Sequence, residues 1–117
     1  MASVLVVDDE TVLLEMMAAL IADLGYRVIT ATNGYDALAA LSRETAPPDL
    51  IISDVMMPCM DGVELAREVR GSPRWRDVPV ILMSAAGLPR NRHTADYFLD
   101  KPFDIDDLIT LIEQHAQ

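Results

Sequence analysis

The chain has few aromatic residues, one cysteine and no long apolar run, and each shortage excludes a class of protein. Aromatic residues are 5% of the 117 residues, so aliphatic side chains must build the core. A single cysteine excludes a disulfide framework or a cysteine-rich zinc site and is compatible with a reducing cytoplasm. No apolar run approaches the roughly 20 residues of a membrane span, and the N-terminus lacks a signal-peptide pattern. We therefore expect a cytoplasmic protein without membrane contact.

Positive charge is also scarce. Nine Lys and Arg residues stand against 19 Asp and Glu residues, which gives a net charge of −10. A nucleic-acid backbone repels such a surface, so the composition predicts no binding to DNA or RNA. The excess acid suits a cation site or a basic partner, although a solvated surface explains many of the carboxylates equally well. The length fits a single domain over residues 1–117.

Short apolar runs alternate with amphipathic segments along the chain. The runs predict strands over residues 4–7, 26–31, 50–53, 78–83 and 98–99. Helices are predicted over residues 10–24, 33–44 and 61–70, and from residue 104 onwards. Two helical stripes are expected to face the core: Val12, Leu13, Met16, Met17, Leu20, Ile21 and Leu24, and later Ile105, Leu108, Ile109 and Ile112. The alternation predicts an α/β fold with a parallel sheet and helices on both faces.

Polar residues that can bind phosphate or a metal ion follow four of these strands. Asp8 and Asp9 end the first, Asp54 the third and Ser84 the fourth, and Lys101, the only lysine, follows the last. The carboxyl ends of parallel strands meet at one edge of a sheet, where open α/β sheets bind ligands. We therefore expect these five side chains to converge.

The three aspartates would repel one another unless a cation joined them. Oxygen ligands favour a hard ion, and Mg²⁺ needs only one or two carboxylates together with a phosphate. Alternatively, Asp8 and Asp9 cap the first helix. An aspartate flanked by Mg²⁺ and a lysine such as Lys101 could accept a phosphoryl group, because both cations stabilise the charge being transferred. Ser84 offers a hydroxyl donor, although a serine at a strand end is more often a turn residue.

Four segments resemble the receiver domains of two-component response regulators, which have the flavodoxin-like fold of the bacterial chemotaxis regulator. They read VLVVDDE, DLIISDVMMPCMDG, VPVILMSA and FLDKPF, and they stand in the family's order along the whole chain. The resemblance implies a five-stranded sheet of order 2-1-3-4-5. It also implies that Asp54 is the phosphoacceptor, that Asp8 and Asp9 bind Mg²⁺ with the Met56 carbonyl, and that Lys101 binds the phosphate.

The resemblance also assigns a switch and partners. Ser84 would turn its hydroxyl toward the phosphoryl group, and the aromatic switch would be Phe98, three residues before the lysine, rather than Tyr97. The protein would act as a phosphorylation-dependent signalling switch and not as an enzyme on other substrates. The phosphoryl donor would be a histidine kinase, a phosphotransfer protein or a small phosphodonor, and the downstream target would be another protein. Because no output domain follows the last helix, we expect a stand-alone regulator or an excised receiver.

Three features depart from the family pattern. Only 13 residues separate Ser84 from Phe98, which predicts that the fourth helix is shortened or missing. Cys59 stands where glycine is usual. Met56 and Ala86 flank the site, and since neither can orient an attacking water, the phosphorylated form should be long-lived.

Two other functions fit parts of the sequence. A receiver fold could serve as a phosphate-independent protein-interaction module, although the complete set of acidic residues and Lys101 argues against this. An aspartyl-phosphate phosphohydrolase could use Asp8 as its nucleophile, although that chemistry generally requires Asp-x-Asp where this chain has Asp8-Asp9-Glu10.

Overall fold

The sheet and its helices come from a computed structural model that describes residues 2–85 and 95–116. In those residues the elements are β1 (Ser3–Val7), α1 (Thr11–Asp23), β2 (Arg27–Ala31), α2 (Gly34–Arg43), β3 (Leu50–Asp54), α3 (Gly62–Arg70), β4 (Val80–Ala85), β5 (Tyr97–Lys101) and α4 (Ile105–His115). The strands are all parallel and lie in the order β2-β1-β3-β4-β5. The predicted flavodoxin-like fold is therefore confirmed.

Successive side chains of the central strands face two separate hydrophobic clusters. Leu5 and Ile51 face α2 and α3, whereas Val6 and Ile52 face α1 and α4. All four are fully buried, because helices cover both faces of the sheet. This burial explains why the strands read as continuous apolar runs and do not alternate with polar residues.

Local signals set the ends of the helices. The Asn33 side chain accepts a backbone hydrogen bond in the first turn of α2, and Asp61 and Glu64 form a capping box at the start of α3. Gly25 takes a φ of +98° just after α1, a conformation that glycine adopts at little cost. Asp104 occupies the N-cap position of α4 as predicted, but its side chain makes no capping hydrogen bond.

The predicted helical stripes are wider than the faces that the helices bury. Val12, Met16 and Leu24 of the first stripe are 77%, 51% and 36% exposed, and Ile105 in α4 is 48% exposed, so their predicted places in the core are wrong. Val12 and Met16 lie on the side of α1 opposite its buried face, Leu24 follows the end of α1, and Ile105 is the first residue of α4. The residues of α1 that are buried are Leu14, Met17 and Ile21.

Three predictions for the rest of the chain have different outcomes. β5 has five residues, more than the two predicted, because it pairs with β4 along its whole length. The prediction of a short or missing fourth helix concerns residues 86–94, which lie outside the described residues. Among the residues that are described, no helix is both long enough and apolar enough to cross a bilayer.

Arg70, at the end of α3, joins the amino ends of β4 and β5. Its guanidinium donates to the backbone carbonyls of Arg76 and Val78 at 2.9 and 2.7 Å and also bonds the Asp96 carboxylate. The same carboxylate accepts the Val80 N–H at 2.7 Å. One arginine therefore fixes the loop before β4 and the residue that precedes β5.

We predict that Arg70→Ala lowers the free energy of unfolding by about 2 kcal/mol, because it leaves two carbonyls and a carboxylate without their charged donor. Arg67→Ala, on the exposed face of the same helix, is the control and should cost less than about 0.5 kcal/mol. Urea denaturation of both variants measures the difference, and equal losses would contradict this role of Arg70.

Candidate functional site

The carboxyl ends of four parallel strands bring the predicted polar residues to one edge of the sheet. Val7, the last residue of β1, pairs with Ser53, so Asp8 and Asp54 follow at the same level. Asp54 pairs with Met83, which places Ser84 one residue further along β4. Lys101 is the last residue of β5, on the other side of β4. The predicted convergence at this edge is therefore present in the fold.

Asp8, Asp9 and Asp54 form a cluster that could hold a cation. Each offers a carboxylate oxygen, and these three oxygens lie within 4.8 Å of one another. Asp8 is fully buried and Asp54 is 7% exposed, whereas Asp9 is exposed to solvent. Three anionic oxygens at this spacing fit Mg²⁺, which prefers oxygen ligands and completes its shell with water or phosphate.

Two directional contacts fix the carboxylate of Asp8. Its Oδ1 accepts the Glu10 N–H at 2.9 Å, and its Oδ2 accepts a hydrogen bond from Lys101 Nζ at 3.2 Å. The N-cap residue of α1 is Glu10, and no side chain caps it. Asp8 and Asp9 therefore do not occupy the N-cap position, and the alternative that they only cap the first helix is not supported.

Lys101 Nζ lies between the two buried carboxylates, 3.2 Å from both Asp8 Oδ2 and Asp54 Oδ1. Burial raises the pKa of Asp54, and the nearby charges of Asp8 and Asp9 add to this rise, which the Lys101 ammonium only partly opposes. Burial lowers the pKa of Lys101, but its attraction to Asp54 and Asp8 outweighs burial and leaves that pKa raised. One ammonium is thus too little positive charge for the three carboxylates.

The loop that leaves Asp54 is closed by short backbone contacts. Val55 N–H donates to the Met83 carbonyl and Gly62 N–H donates to the Val55 carbonyl, both at 2.9 Å. A Cβ on Gly62 would lie 2.2 Å from the Asp54 carbonyl oxygen, so only glycine fits there. Met56 lies inside this closed loop, and its side chain is 65% exposed. Gly62 follows directly on Asp61, the N-cap of α3, so the glycine that the Asp54 loop requires is adjacent to the start of that helix.

Cys59 is at the tip of this loop. Its φ is +70°, and Met60 N–H donates across it to the Pro58 carbonyl at 2.8 Å. A bond between residues i and i+2 around a positive φ is typical of a γ-turn, which is strained for a residue other than glycine. Cysteine at this position therefore adopts a backbone conformation that glycine would adopt at lower cost.

Ser84 and Phe98 lie on the adjacent strands β4 and β5. Ser84 is 3% exposed and lies one residue beyond the level of Asp54, whereas Phe98 pairs with Leu82 and is half-buried against the hydrophobic cluster on the α2 and α3 side. Tyr97 is more exposed, and its ring stacks on His115 in α4 with centroids 4.4 Å apart. The two neighbouring aromatic residues therefore pack on opposite faces of the sheet.

An apolar groove of about 450 Å³ lies beside the site. Leu13 and Met16 of α1 form one wall, and the segment after Lys101, including Phe103 and Ile105, forms the other. The groove has no signal in the sequence, because the apolar residues Met16 and Ile105 that line it are predicted to face the core.

Comparison with known proteins identifies the family. The sequence profile described as "Response regulator receiver domain" matches residues 4–113. The chain is 38% identical over 110 residues to the "Probable transcriptional regulator ycf27" of Pyropia yezoensis, covering 90% of this chain and 43% of that protein. It is 36% identical over 114 residues to the "DNA-binding transcriptional regulator NtrC" of Salmonella typhimurium, covering 93% of this chain and 24% of that protein. The chain thus spans less than half the length of either relative.

A solved structure agrees with this assignment. The response regulator protein TrrA of Thermotoga maritima, in complex with Mg²⁺-BeF, superimposes with a TM-score of 0.86 at 32% identity, covering 97% of this chain and 98% of that chain. The sheet order, the acidic cluster and the match over residues 4–113 agree with one another. The chain belongs to the receiver domains of two-component response regulators.

Proposed function

We propose that this receiver domain is a phosphorylation-dependent switch that accepts a phosphoryl group on Asp54. The observation that carries the proposal is the position of Lys101 Nζ, 3.2 Å from Asp54 and Asp8 within a cluster of three carboxylates. Asp54 ends β3, the central strand of the sheet, and the single ammonium beside it does not balance the three carboxylates of the cluster. A histidine kinase or a phosphotransfer protein is the proposed donor, with small phosphodonors as substitutes.

The residues of the site divide the work. The Mg²⁺ ion would be held by Asp8, Asp9, Asp54 and the Met56 carbonyl. Its positive charge would stabilise the oxygens of the phosphoryl group during transfer. A carboxylate oxygen of Asp54 attacks phosphorus, and the bond from phosphorus to the donor's histidine nitrogen breaks with its electron pair returning to the imidazole. Lys101 is already within hydrogen-bonding distance of Asp54, so it can contact a phosphoryl oxygen there. We propose that the Ser84 hydroxyl donates a hydrogen bond to another phosphoryl oxygen and that Phe98 transmits the resulting conformational change.

The surroundings of the site support a protein donor. The apolar groove between α1 and the segment after Lys101 is lined in part by Lys101 itself, and the acidic residues Asp104, Asp106 and Asp107 flank its lining residue Ile105 in the sequence. Burial of exposed Met16 and Ile105 would favour association, and the carboxylates would favour a basic partner.

We further propose one domain over residues 1–117, a cytoplasmic location, no direct contact with nucleic acid, and no catalysis beyond the domain's own phosphorylation and slow dephosphorylation.

Asp8 is a poor candidate for the nucleophile of a phosphohydrolase. It is fully buried, and both of its oxygens accept hydrogen bonds, from Glu10 N–H and from Lys101. Nucleophilic attack would require one of these contacts to break. Asp54 is therefore the preferred phosphoacceptor.

We predict that acetyl phosphate labelled with ³²P and supplied with Mg²⁺ labels the wild type, and that Asp54→Asn reduces labelling to background because the attacking carboxylate is lost. Asp36→Asn, at an exposed position in α2, is the matched control and should be labelled like the wild type. Labelling retained in Asp54→Asn but lost in Asp8→Asn would instead favour the phosphohydrolase. Absence of labelling in the wild type, with no beryllofluoride-induced shift in the Asp54 amide, would favour the interaction module.

Asp54→Asn should also stabilise the protein when Mg²⁺ is absent. The pKa of Asp54 is raised in the folded protein, so the unfolded chain releases this proton first and stability falls as the pH rises between the two pKa values. The whole penalty applies above the folded-state pKa and none of it below the unfolded-state pKa. We expect the variant to melt roughly 4 °C higher at pH 7, or about 1 kcal/mol, with no gain below about pH 3. Thermal melts with EDTA test this, and saturating Mg²⁺ should reverse the order; a variant less stable at pH 7 without metal would refute it.

Phosphorylated Asp54 should lose its phosphoryl group slowly, because the apolar side chain of Met56 beside the site cannot orient a water. Met56→Asn supplies an amide at this exposed position and should shorten the half-life by about tenfold, less than the roughly 100-fold or more that a fully positioned general base contributes. Val12→Asn makes an equivalent change on α1 and serves as the control. The half-life is measured after removing the phosphodonor in Mg²⁺ buffer; rapid decay of the wild type would contradict the prediction.

A further inference from the structure

We infer that Gly34, the first residue of α2, positions the metal-binding loop through its contact with Met60. The inference rests on the proposed function, because it concerns the Mg²⁺ site to which Met56 contributes a carbonyl. Gly34 lies on a different element from every residue assigned to the site, and it would act through Met60 without touching the ion.

The loop from Val55 to Gly62 has few ways to adjust. Its two ends are tied together by the bond from Gly62 N–H to the Val55 carbonyl, and the bond from Met60 N–H to the Pro58 carbonyl closes the turn at Cys59. Met56 lies between these two closures. A displacement of Met60 therefore moves the segment that carries the Met56 carbonyl, because little free backbone remains to absorb it.

Gly34 is the contact that holds Met60 from outside the loop. Its N–H donates to the Met60 carbonyl at 3.3 Å, and the Met60 side chain, 8% exposed, packs directly over it. A Cβ on Gly34 would lie 2.6 to 2.7 Å from Met60 Cγ, Cβ and Sδ. The Cγ and Sδ could turn away, but Cβ is fixed to the backbone, so an alanine would move the backbone at Met60.

Helix propensity and this contact predict opposite outcomes for Gly34→Ala. Gly34 has no positive φ, and an alanine in a helix is usually more favourable than a glycine. Propensity alone therefore predicts a more stable protein with an unchanged site. The contact with Met60 predicts weaker Mg²⁺ binding, and changes in residues that orient metal ligands typically cost about tenfold or more in affinity.

The test is the Mg²⁺ dissociation constant, obtained by following amide chemical shifts around Asp54 in the full chain. We expect Gly34→Ala to weaken binding about tenfold in the wild-type background. In a Met60→Gly background, which removes all three atoms that collide, the same substitution should change affinity less than about twofold, because residues in contact have coupled rather than additive effects. Gly71→Ala, at the C-cap of α3, is the matched control and should leave affinity unchanged.

Each outcome separates the inference from the proposed function. Wild-type protein that does not bind Mg²⁺ would overturn the proposed function. Normal binding by Gly34→Ala, an equal loss in both backgrounds, or an equal loss in Gly71→Ala would overturn the role of Gly34 alone. If Gly34→Ala does not fold, Met60→Ala provides the test, since it removes Cγ and Sδ, two of the three Met60 atoms that pack on Gly34: weaker Mg²⁺ binding supports the inference and unchanged binding refutes it.

Discussion

The ammonium of Lys101, 3.2 Å from both Asp8 and Asp54, is the interaction on which the arrangement of the site depends. It joins the end of the last strand of the sheet to the turn after the first, across the two strands between them. Because Asp8 and Asp54 are buried, removing this contact would leave unpaired charge in a region of low dielectric constant. The contact therefore gives the site its shape, but its single charge leaves room for another cation.

Close contacts also constrain the backbone around Asp54. Gly62 closes against the Asp54 carbonyl, and Gly34 lies under Met60, so two of the chain's five glycines stand where a side chain would displace the loop. The strained turn at Cys59 belongs to the same loop. Close packing explains why the loop keeps a fixed geometry although several of its side chains, including Met56, are exposed.

The sequence predicts the fold and the polar residues of the site well, for physical reasons. Buried parallel strands need continuous apolar runs, and polar residues that end such runs meet at one edge, so Asp8, Asp54 and Lys101 can be located from pattern alone. Exposure of Met16 and Ile105 could not be predicted, because α1 carries apolar residues on several sides, so periodicity does not single out its buried face, and it does not show that the first residue of α4 is left uncovered. Contacts between distant segments, such as Gly34 with Met60, have no local signal in the sequence.

The contacts of Arg70 have a mechanical consequence for β5. Arg70 and Val80 both bond Asp96, which anchors the amino end of this strand to α3 and β4, while Lys101 at the carboxyl end interacts with the site. A strand anchored at one end resists sliding along its neighbour and responds to a pull at the other end mainly by pivoting. The displacement then increases with distance from Asp96 and is greatest at Lys101 and the segment that leads into α4. A protein that distinguishes two states of this domain would detect the largest difference there, near the carboxyl edge of the sheet.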